Sequence, residues 1–291
     1  MESPVCPLCK CQDNGILFYE RGYSLFVCNS CELFFIDPYP QDVDIRHDHV
    51  SEYDFAELKI SNAETKYLSE VQLYKKYFSL ISLECKGAKS ILDIGCGTGH
   101  LLERLVVYPG LLRVGIELNR DRAQMAKKIA GCEILQVPIE KYKCSGKFDV
   151  ITMINVLSHI PSHDDLFNSL KTLMPENGKL ILKVSEMKKD IKKGAVFDWE
   201  IPDHLHFLGL KTINVICEKY GFEVLKHLRT PFSDELFSRE RFISPGRSAV
   251  RNYLKKVLVY TPLAISLLSK SYNMMYGKDI YSSFIVLGHS K

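Results

Sequence analysis

Two cysteine pairs, one glycine-rich turn and a few histidines carry the chemistry-bearing residue types of this 291-residue chain. Cys6-Pro-Leu-Cys9 and Cys28-Asn-Ser-Cys31 are C-x-x-C pairs separated by eighteen residues, inside the spacing window of a four-thiolate zinc site. Each pair places two sulfurs on one side of a tight knuckle, and two facing knuckles complete a tetrahedron around Zn2+. Four thiolates close the coordination shell, so the role expected of Cys6, Cys9, Cys28 and Cys31 is structural and not catalytic. Cys11 is near enough in sequence to replace Cys9 or to remain a spare thiol.

Residues 91–100, ILDIGCGTGH, read as an apolar strand running into a turn. The dinucleotide fingerprint needs the spacing G-x-G-x-x-G, whereas glycines stand here at Gly95, Gly97 and Gly99, with His100 in the place of the last. Glycines let the backbone approach a ligand without Cβ clashes. Asp93, two residues before Gly95, would repel a phosphate at this turn. Glu117 closes the next strand, where a carboxylate can take both hydroxyls of a ribose. The expected ligand therefore bears a ribose and no phosphate at the turn.

The histidines supply candidate bases, because imidazole titrates near neutral pH. His159 falls just past the fourth strand of the pattern described below. In Asp203-His204-Leu-His206, His204 stands beside a carboxylate and is the preferred base. His206 is expected to pack.

These residues need a scaffold, and the pattern of the chain provides one. Apolar runs SILDIG, LRVGIEL, CEILQV, FDVITMI, KLILKVS, FEVLKHL and SSFIVLG alternate with helical periods, which predicts an α/β fold with a Rossmann-like, doubly wound, mostly parallel seven-stranded sheet. Helix punctuation agrees: Asn119 caps a segment closed by Gly131, Ser162 with Asp165 resembles a capping box, and Gly221 follows the periodic Ile213, Ile216, Cys217 and Tyr220. GILFYE and YSLFVC, between the cysteine pairs, read as two strands of a ribbon. About forty residues bury too little surface to fold unaided, so a metal has a physical task there. The expected organisation is a zinc ribbon over 1–40, a linker and an amphipathic helix over 41–88, and a ligand-binding domain over 89–291 with a helical cap inserted at 232–280. The acidic stretch DPYPQDVDIRHDHVSEYD opens the linker, and Tyr67, Val71, Tyr74, Phe78 and Ile81 mark the helix face.

A net charge of +3 is weak ground for a nucleic-acid partner, and residues 1–60 carry a balance of −7. Arg239 to Lys256 carries +5, and Arg239, Arg241, Arg247 and Arg251 suit a phosphate on a ligand. The start MESPVCPLCK shows no signal peptide. The longest apolar run, Val257 to Leu268, is too short for a bilayer span, leaving peripheral membrane contact as the competing use of the insertion. Ten cysteines without a leader favour reduced thiols and the cytoplasm. The oligomeric state is not legible.

Asp93-Ile-Gly-Cys-Gly-Thr-Gly99 followed by Val-Gly-Ile-Glu117 resembles the first two cofactor motifs of class I S-adenosylmethionine-dependent methyltransferases, over about Ser90 to Phe222 and again in the last strand. S-adenosylmethionine is then the implied cofactor; it has no phosphate, and its ammonium and sulfonium suit Asp93. The resemblance implies Asp93, Gly95, Cys96, Gly97, Gly99, Glu117, Leu118 and Asn155 as cofactor contacts, with Ile139 and Glu140 beside the adenine, although the family's acidic residue after the third strand is replaced by the run Gln136-Val-Pro-Ile-Glu140. Lys147 to His159 is similar to the family's fourth strand and the loop after it. The front ribbon together with Pro-Asp-His-Leu-His-Phe207 and Gly221-Phe222 is similar to the methyltransferase domain 23-like subgroup, which acts on small or carbohydrate-linked substrates. Ubiquinone-pathway O-methyltransferases place two glutamates beside a histidine to hold a metal; Asn155, Ser158 and His159 occupy those positions here, which argues against a catalytic divalent ion. The implied activity is methyl transfer to a small-molecule or carrier-linked acceptor, such as a saccharide or a lipid-linked one. The alternatives are an rRNA methyltransferase gripping substrate through the ribbon, which the ribbon's acidity disfavours, and a non-catalytic cofactor-binding module.

Overall fold

All seven expected apolar runs form strands in the computed structural model, which describes residues 3–40, 77–144, 146–196, 199–233, 262–276 and 279–290. Residues 41–54 of the acidic stretch, the Tyr67 to Tyr74 part of the amphipathic face and the four insertion arginines lie outside the described residues. Contacts divide the chain into two units: Met1–Arg46, Ile139–Thr230 and Asp279–Lys291 form one, His47–Pro138 and Pro231–Lys278 the other. Among the described residues no helix is long and apolar enough to cross a membrane.

In the second unit, β4 (Ser90–Ile94), β5 (Leu112–Ile116) and β6 (Glu133–Leu135) run parallel, with Asp93 opposite Gly115 and Ile94 opposite Ile116. Every residue of β4 is buried, which is why it reads as a continuous apolar run and not as an alternating one. Helix α1 (77–84) precedes β4, and α2 (His100–Arg104) follows the glycine turn. The next helix, α3 (Arg120–Ala130), starts where the Asn119 side chain accepts the Arg122 N–H and stops at Gly131 with φ 59°, as its punctuation predicts. It buries Ala123, Ala126 and Ala130. A Cβ built on Gly99 would meet Ala126 Cα at 3.0 Å, so the third glycine of the turn and a small helix face are needed together.

In the first unit, β7 (Val150–Ile154) runs parallel to the first half of β8 (Lys179–Met187). The chain's last strand, β11 (Ile280–His289), runs antiparallel along β8 and also pairs with β10 (Phe222–Pro231). Helix α4 (His163–Leu173) begins where Ser162 Oγ accepts the Asp165 N–H at 3.1 Å, and α5 (Thr212–Tyr220) ends at Gly221. Phe167 of α4 stacks on Tyr220 of α5 at 4.8 Å between ring centroids. Helix α6 (Pro262–Tyr276), in the second unit, falls within the expected cap insertion.

The ribbon strands β1 (Asn14–Glu20) and β2 (Tyr23–Cys28) pair antiparallel as expected. Two strands were not foreseen. The first, β3 (Phe34–Asp37), pairs with β2 and then, antiparallel, with β9 (His206–Gly209), whose end runs parallel to Glu186 and Met187 of β8. The ribbon is thereby continued into the strands of the first unit. A Cβ on Gly209 would overlap the Glu32 backbone, so the two backbones meet without a side chain between them.

His206 is indeed buried, with its ring 4.5 Å from that of His163. Burial holds His163 down to about 4 and His206 well below the ordinary imidazole value of 6.5. Both stay neutral in the folded state, whereas the unfolded chain protonates them near pH 6.5. The unfolded state therefore binds more protons between about pH 6.5 and pH 4, and stability falls as pH drops through that window by about 1 kcal/mol per pH unit per imidazole. Urea denaturation from pH 7 to pH 4.5 is expected to show that decline, and a double His163→Phe, His206→Phe variant to flatten it.

Candidate functional site

The glycine turn is built on the ends of two parallel strands. Asp93, buried, is the fourth residue of β4, and Gly97 takes φ 57°, a left-handed conformation that favours glycine. Glu117 follows β5 and is 7% exposed. Its Oε2 accepts the Gly97 N–H and its Oε1 the Asn119 N–H, both at 2.9 Å. One carboxylate thus joins the turn to the start of α3 and places negative charge at the strand tips. The Cys96 side chain is buried behind the turn: a Cβ on Gly115 would meet its Sγ at 2.7 Å, so Cys96 can offer a ligand only its backbone. Gly115 is the residue that leaves room for that sulfur, a role the sequence signals only as a glycine inside a strand. Leu118 is exposed beside Glu117, and His100 is buried against Glu103. A bare-backbone bend beside Asp93 and Glu117 fits a cationic, ribose-bearing ligand.

The cysteine pairs converge. Sγ of Cys6 lies 3.5 Å from Sγ of Cys31, and Sγ of Cys9 lies 3.5 Å from Sγ of Cys28, with all four within 4.8 Å of one another. Tetrahedral zinc with bonds of about 2.3 Å separates its sulfurs by roughly 3.8 Å. The two knuckles repeat one backbone plan. Lys10 N–H donates to Cys6 O and Glu32 N–H to Cys28 O; Cys6 N–H donates to Cys11 O and Cys28 N–H to Leu33 O. Lys10 and Glu32 both have positive φ, 64° and 61°. Cys11 stands outside the cluster, its sulfur accepting the Asp13 N–H. The Cys31 hydrogen bond holds Cys6 down to about 5 and raises Cys31, while burial pushes Cys28 up to about 11. Without a cation, the knot cannot ionise all its thiols together. The donor set fits Zn2+.

The remaining expected residues belong to the first unit. Ile139 and Glu140 lie in a 3-10 turn (Ile139–Lys141), with Ile139 buried. Asn155, exposed and at φ 57°, follows β7 and donates its N–H to Lys183 O. Asparagine is among the few non-glycine residues that adopt this conformation readily, and such outliers cluster at functional sites. His159 and His204 come together, their rings 4.6 Å apart. His159, Asp203 and His204 form one cluster, with a nitrogen or oxygen of each within 4.8 Å of the others. His159 Nδ1 meets Asp203 O at 2.9 Å and Asp203 Oδ1 at 3.7 Å, while His204 Nε2 faces Glu200 at 3.7 Å. Leu205 N–H donates to Ser158 O at 2.8 Å, so a backbone bond fastens the two loops beside their histidines. Sequence reasoning missed Glu200 and the pairing of His159 with Asp203, because adjacency along the chain does not say which way a loop side chain turns.

The ribbon reaches this loop pair directly. Arg21 Nη1 donates to Ile201 O at 3.1 Å, Leu205 O accepts the Ile36 N–H, and Thr212 Oγ1 donates to Cys31 O.

A family described as methyltransferase domain matches residues 66–227. The chain is 34% identical over 105 residues to the ubiquinone biosynthesis O-methyltransferase of Glaesserella parasuis serovar 5, covering 32% of this chain and 44% of that one. It is 31% identical over 118 residues to the mitochondrial ubiquinone biosynthesis O-methyltransferase of Saccharomyces cerevisiae, covering 38% and 37%. The chain thus spans less than half the length of either relative. Among solved structures, the O-methyltransferase of a trans-AT PKS multienzyme of Brevibacillus brevis, in complex with S-adenosyl-L-homocysteine, is similar at TM-score 0.52 and 17% identity over 80% of both chains. A SAM-dependent methyltransferase from Geobacter sulfurreducens, also in complex with S-adenosyl-L-homocysteine, is similar at TM-score 0.51 and 13% identity over 74% of this chain and 90% of that one. These likenesses show a Rossmann-like methyltransferase fold.

Proposed function

Because the chain belongs to the methyltransferase-domain family, we propose that it transfers a methyl group from S-adenosylmethionine to a small-molecule or carrier-linked acceptor. The observation that carries this reading is the Glu117 carboxylate, fixed at the tip of β5 by the Gly97 and Asn119 N–H groups, with Asp93 at the tip of the paired strand. Asp93 is assigned to the cationic amino end of the cofactor and Glu117 to the ribose hydroxyls. Gly95, Gly97 and Gly99 keep the bend bare, Cys96 contributes backbone and Leu118 flanks it; Ile139, Glu140 and Asn155 are assigned to the cofactor by the family resemblance alone. When bound, the cofactor supplies an activated methyl on a sulfonium. The chain's own task is then orientation, which is worth several orders of magnitude in rate, and handling of the acceptor's proton. His159 and His204, beside Asp203, are the groups assigned to that proton. Zn2+ in the Cys6, Cys9, Cys28 and Cys31 knot is assigned a structural role.

Ubiquinone biosynthesis relatives support a small acceptor with a hydroxyl. Calorimetry with S-adenosylmethionine tests the cofactor assignment. The expected result is saturable binding weakened roughly 10- to 100-fold by Glu117→Ala, the loss of charge-assisted hydrogen bonds worth about 1.5–3 kcal/mol, and by a similar factor in Asp93→Ala. Absence of binding, or binding indifferent to both substitutions, removes the proposal.

A further inference from the structure

A groove of about 360 Å³ opens between the first cysteine knuckle and α5, lined by Leu8, Cys9, Lys10, Val215, Glu218 and Lys219. It brings solvent to one member of the knot. Cys6, Cys28 and Cys31 are 0%, 0% and 1% exposed, whereas Cys9 is half-buried. Cysteines that react with oxidants combine thiolate character with access. A coordinating thiol is deprotonated outright, so in the filled knot all four sulfurs are thiolates and the groove separates them by access alone. A partner for Cys9 stands close by. Its Sγ lies 3.5 Å from Cys28 Sγ, and Cys6 Sγ lies 3.5 Å from Cys31 Sγ, so both approaches run from one knuckle to the other. Cys11, two residues from Cys9, stands outside the cluster with its sulfur on the Asp13 N–H.

From this arrangement we infer that Cys9 is a site of reversible oxidation by hydrogen peroxide, with Cys28 as its resolving partner. A lone pair of the Cys9 thiolate attacks one peroxide oxygen, the O–O bond breaks and hydroxide leaves, so the sulfur becomes a sulfenic acid and is oxidised by two electrons. The Cys28 thiolate then attacks Cys9 Sγ; the S–O bond breaks, a second hydroxide leaves and the disulfide forms. Each hydroxide takes a proton from solvent. In sum, two thiolates, one peroxide and two protons give one disulfide and two waters. Cys6 and Cys31 remain as two donors where a structural zinc takes four, so one disulfide is enough to release the ion. A second equivalent of peroxide joins Cys6 to Cys31 in the same way. Each of these disulfides ties one knuckle to the other, and a dithiol reductant returns all four donors. The change is felt beyond the ribbon, since Leu8 O and Cys31 O accept from Lys219 and Thr212 of α5. No cofactor or methyl acceptor enters, so the inference stands apart from the methyl-transfer reading.

The test treats the full chain, its knot filled by one equivalent of Zn2+, with hydrogen peroxide alone. Zinc release is followed with a chromogenic chelator, and disulfides are mapped by mass spectrometry of peptides after acid quenching. The expected result is one Zn2+ released per chain, a first disulfide between Cys9 and Cys28, a later one between Cys6 and Cys31, and recovery of metal binding on addition of dithiothreitol and Zn2+. Val215→Trp, which narrows the groove and leaves every ligand in place, is expected to slow release at least about fivefold with the zinc content unchanged, because susceptibility follows access. Cys11→Ser is expected to leave the rate as it is. A first disulfide between Cys6 and Cys9 or between Cys9 and Cys11 overturns the inference. So does release indifferent to Val215→Trp, or zinc retained at a peroxide dose that oxidises the exposed Cys144. A chain that holds no zinc sinks the zinc assignment alone, since the disulfide map is read from it in the same way.

Discussion

Removal of zinc, by a strong chelator or by Cys28→Ser with Cys31→Ser, is expected to lower the melting temperature by on the order of 10 °C and to loosen backbone well beyond the ribbon. The first part follows from scale. Structural zinc contributes apparent binding energies of about 10–16 kcal/mol, comparable with the whole stability of a typical domain. A loss of a few kcal/mol that survives partial compensation shifts melting by a few degrees per kcal/mol in a domain of this size. The second part follows from connection. Cys31 O accepts from Thr212, Leu8 O from Lys219, and Phe34 and Phe35 of β3 pair with Phe207 and His206 of β9. The loop before β9 carries Asp203 and His204. Hydrogen exchange measured with and without zinc should therefore show lost protection in β9 and at Leu205, whose N–H reaches Ser158 O. Unchanged protection there, with loss confined to β1 and β2, would show the ribbon to be an independent appendage. Metal analysis is expected to find stoichiometric zinc in the parent chain and none at the knot in the double variant.

Glu186→Ala is expected to destabilise the chain by about 3 kcal/mol in chemical denaturation, near the lower end of the cost of breaking a buried ion pair. Glu186 is fully buried, and its carboxylate gathers three elements. Arg229 of β10 donates through Nε and Nη2 at 2.8 and 2.9 Å, His227 Nε2 lies at 2.8 Å, and Ser283 of β11 donates its hydroxyl. Burial alone opposes the charge, but those donors outweigh it and hold the carboxyl down to about 2. Its ordinary value is 4.5, so this contribution is complete above that pH and is lost as pH falls toward 2, starting near the lower end of the window in which His163 acts. Arg229 is partly exposed and can turn its charge to water after the substitution, which is why the lower end applies. Glu186→Gln, which keeps the shape and loses the charge, should fall between the two. A cost below 1 kcal/mol for Glu186→Ala would mean that the network merely accompanies packing set by β8 and β11.

Much of this architecture is legible in one dimension because it depends on short-range physics. Apolar runs such as Ile91 to Ile94 specify buried strands, and Asn119, Gly131, Ser162 and Gly221 mark helix ends, because caps and left-handed turns are satisfied within a few residues. The cysteine knuckles are local too: each closes over five residues by backbone bonds, and their spacing alone identifies Cys6, Cys9, Cys28 and Cys31 as one group. Asp93 and Glu117 can be aligned from the register of consecutive parallel strands.

Other relations are long-range and had no counterpart in the sequence. The chain itself suggests Asp203 beside His204, yet loop conformation turns Asp203 toward His159, forty-four residues away, and His204 toward Glu200. The pairing of β3 with β9 joins residues about 170 positions apart, and no periodicity encodes which sheet edge a ribbon will extend. Gly209 acquires its meaning only from Glu32 packed against it. By itself the sequence determined the types of element, the cysteine group and the family of the turn, since those rest on neighbours in the chain. Tertiary structure alone decided which imidazole meets which carboxylate and that the ribbon holds the loop carrying them, because those contacts form only after distant strands have paired.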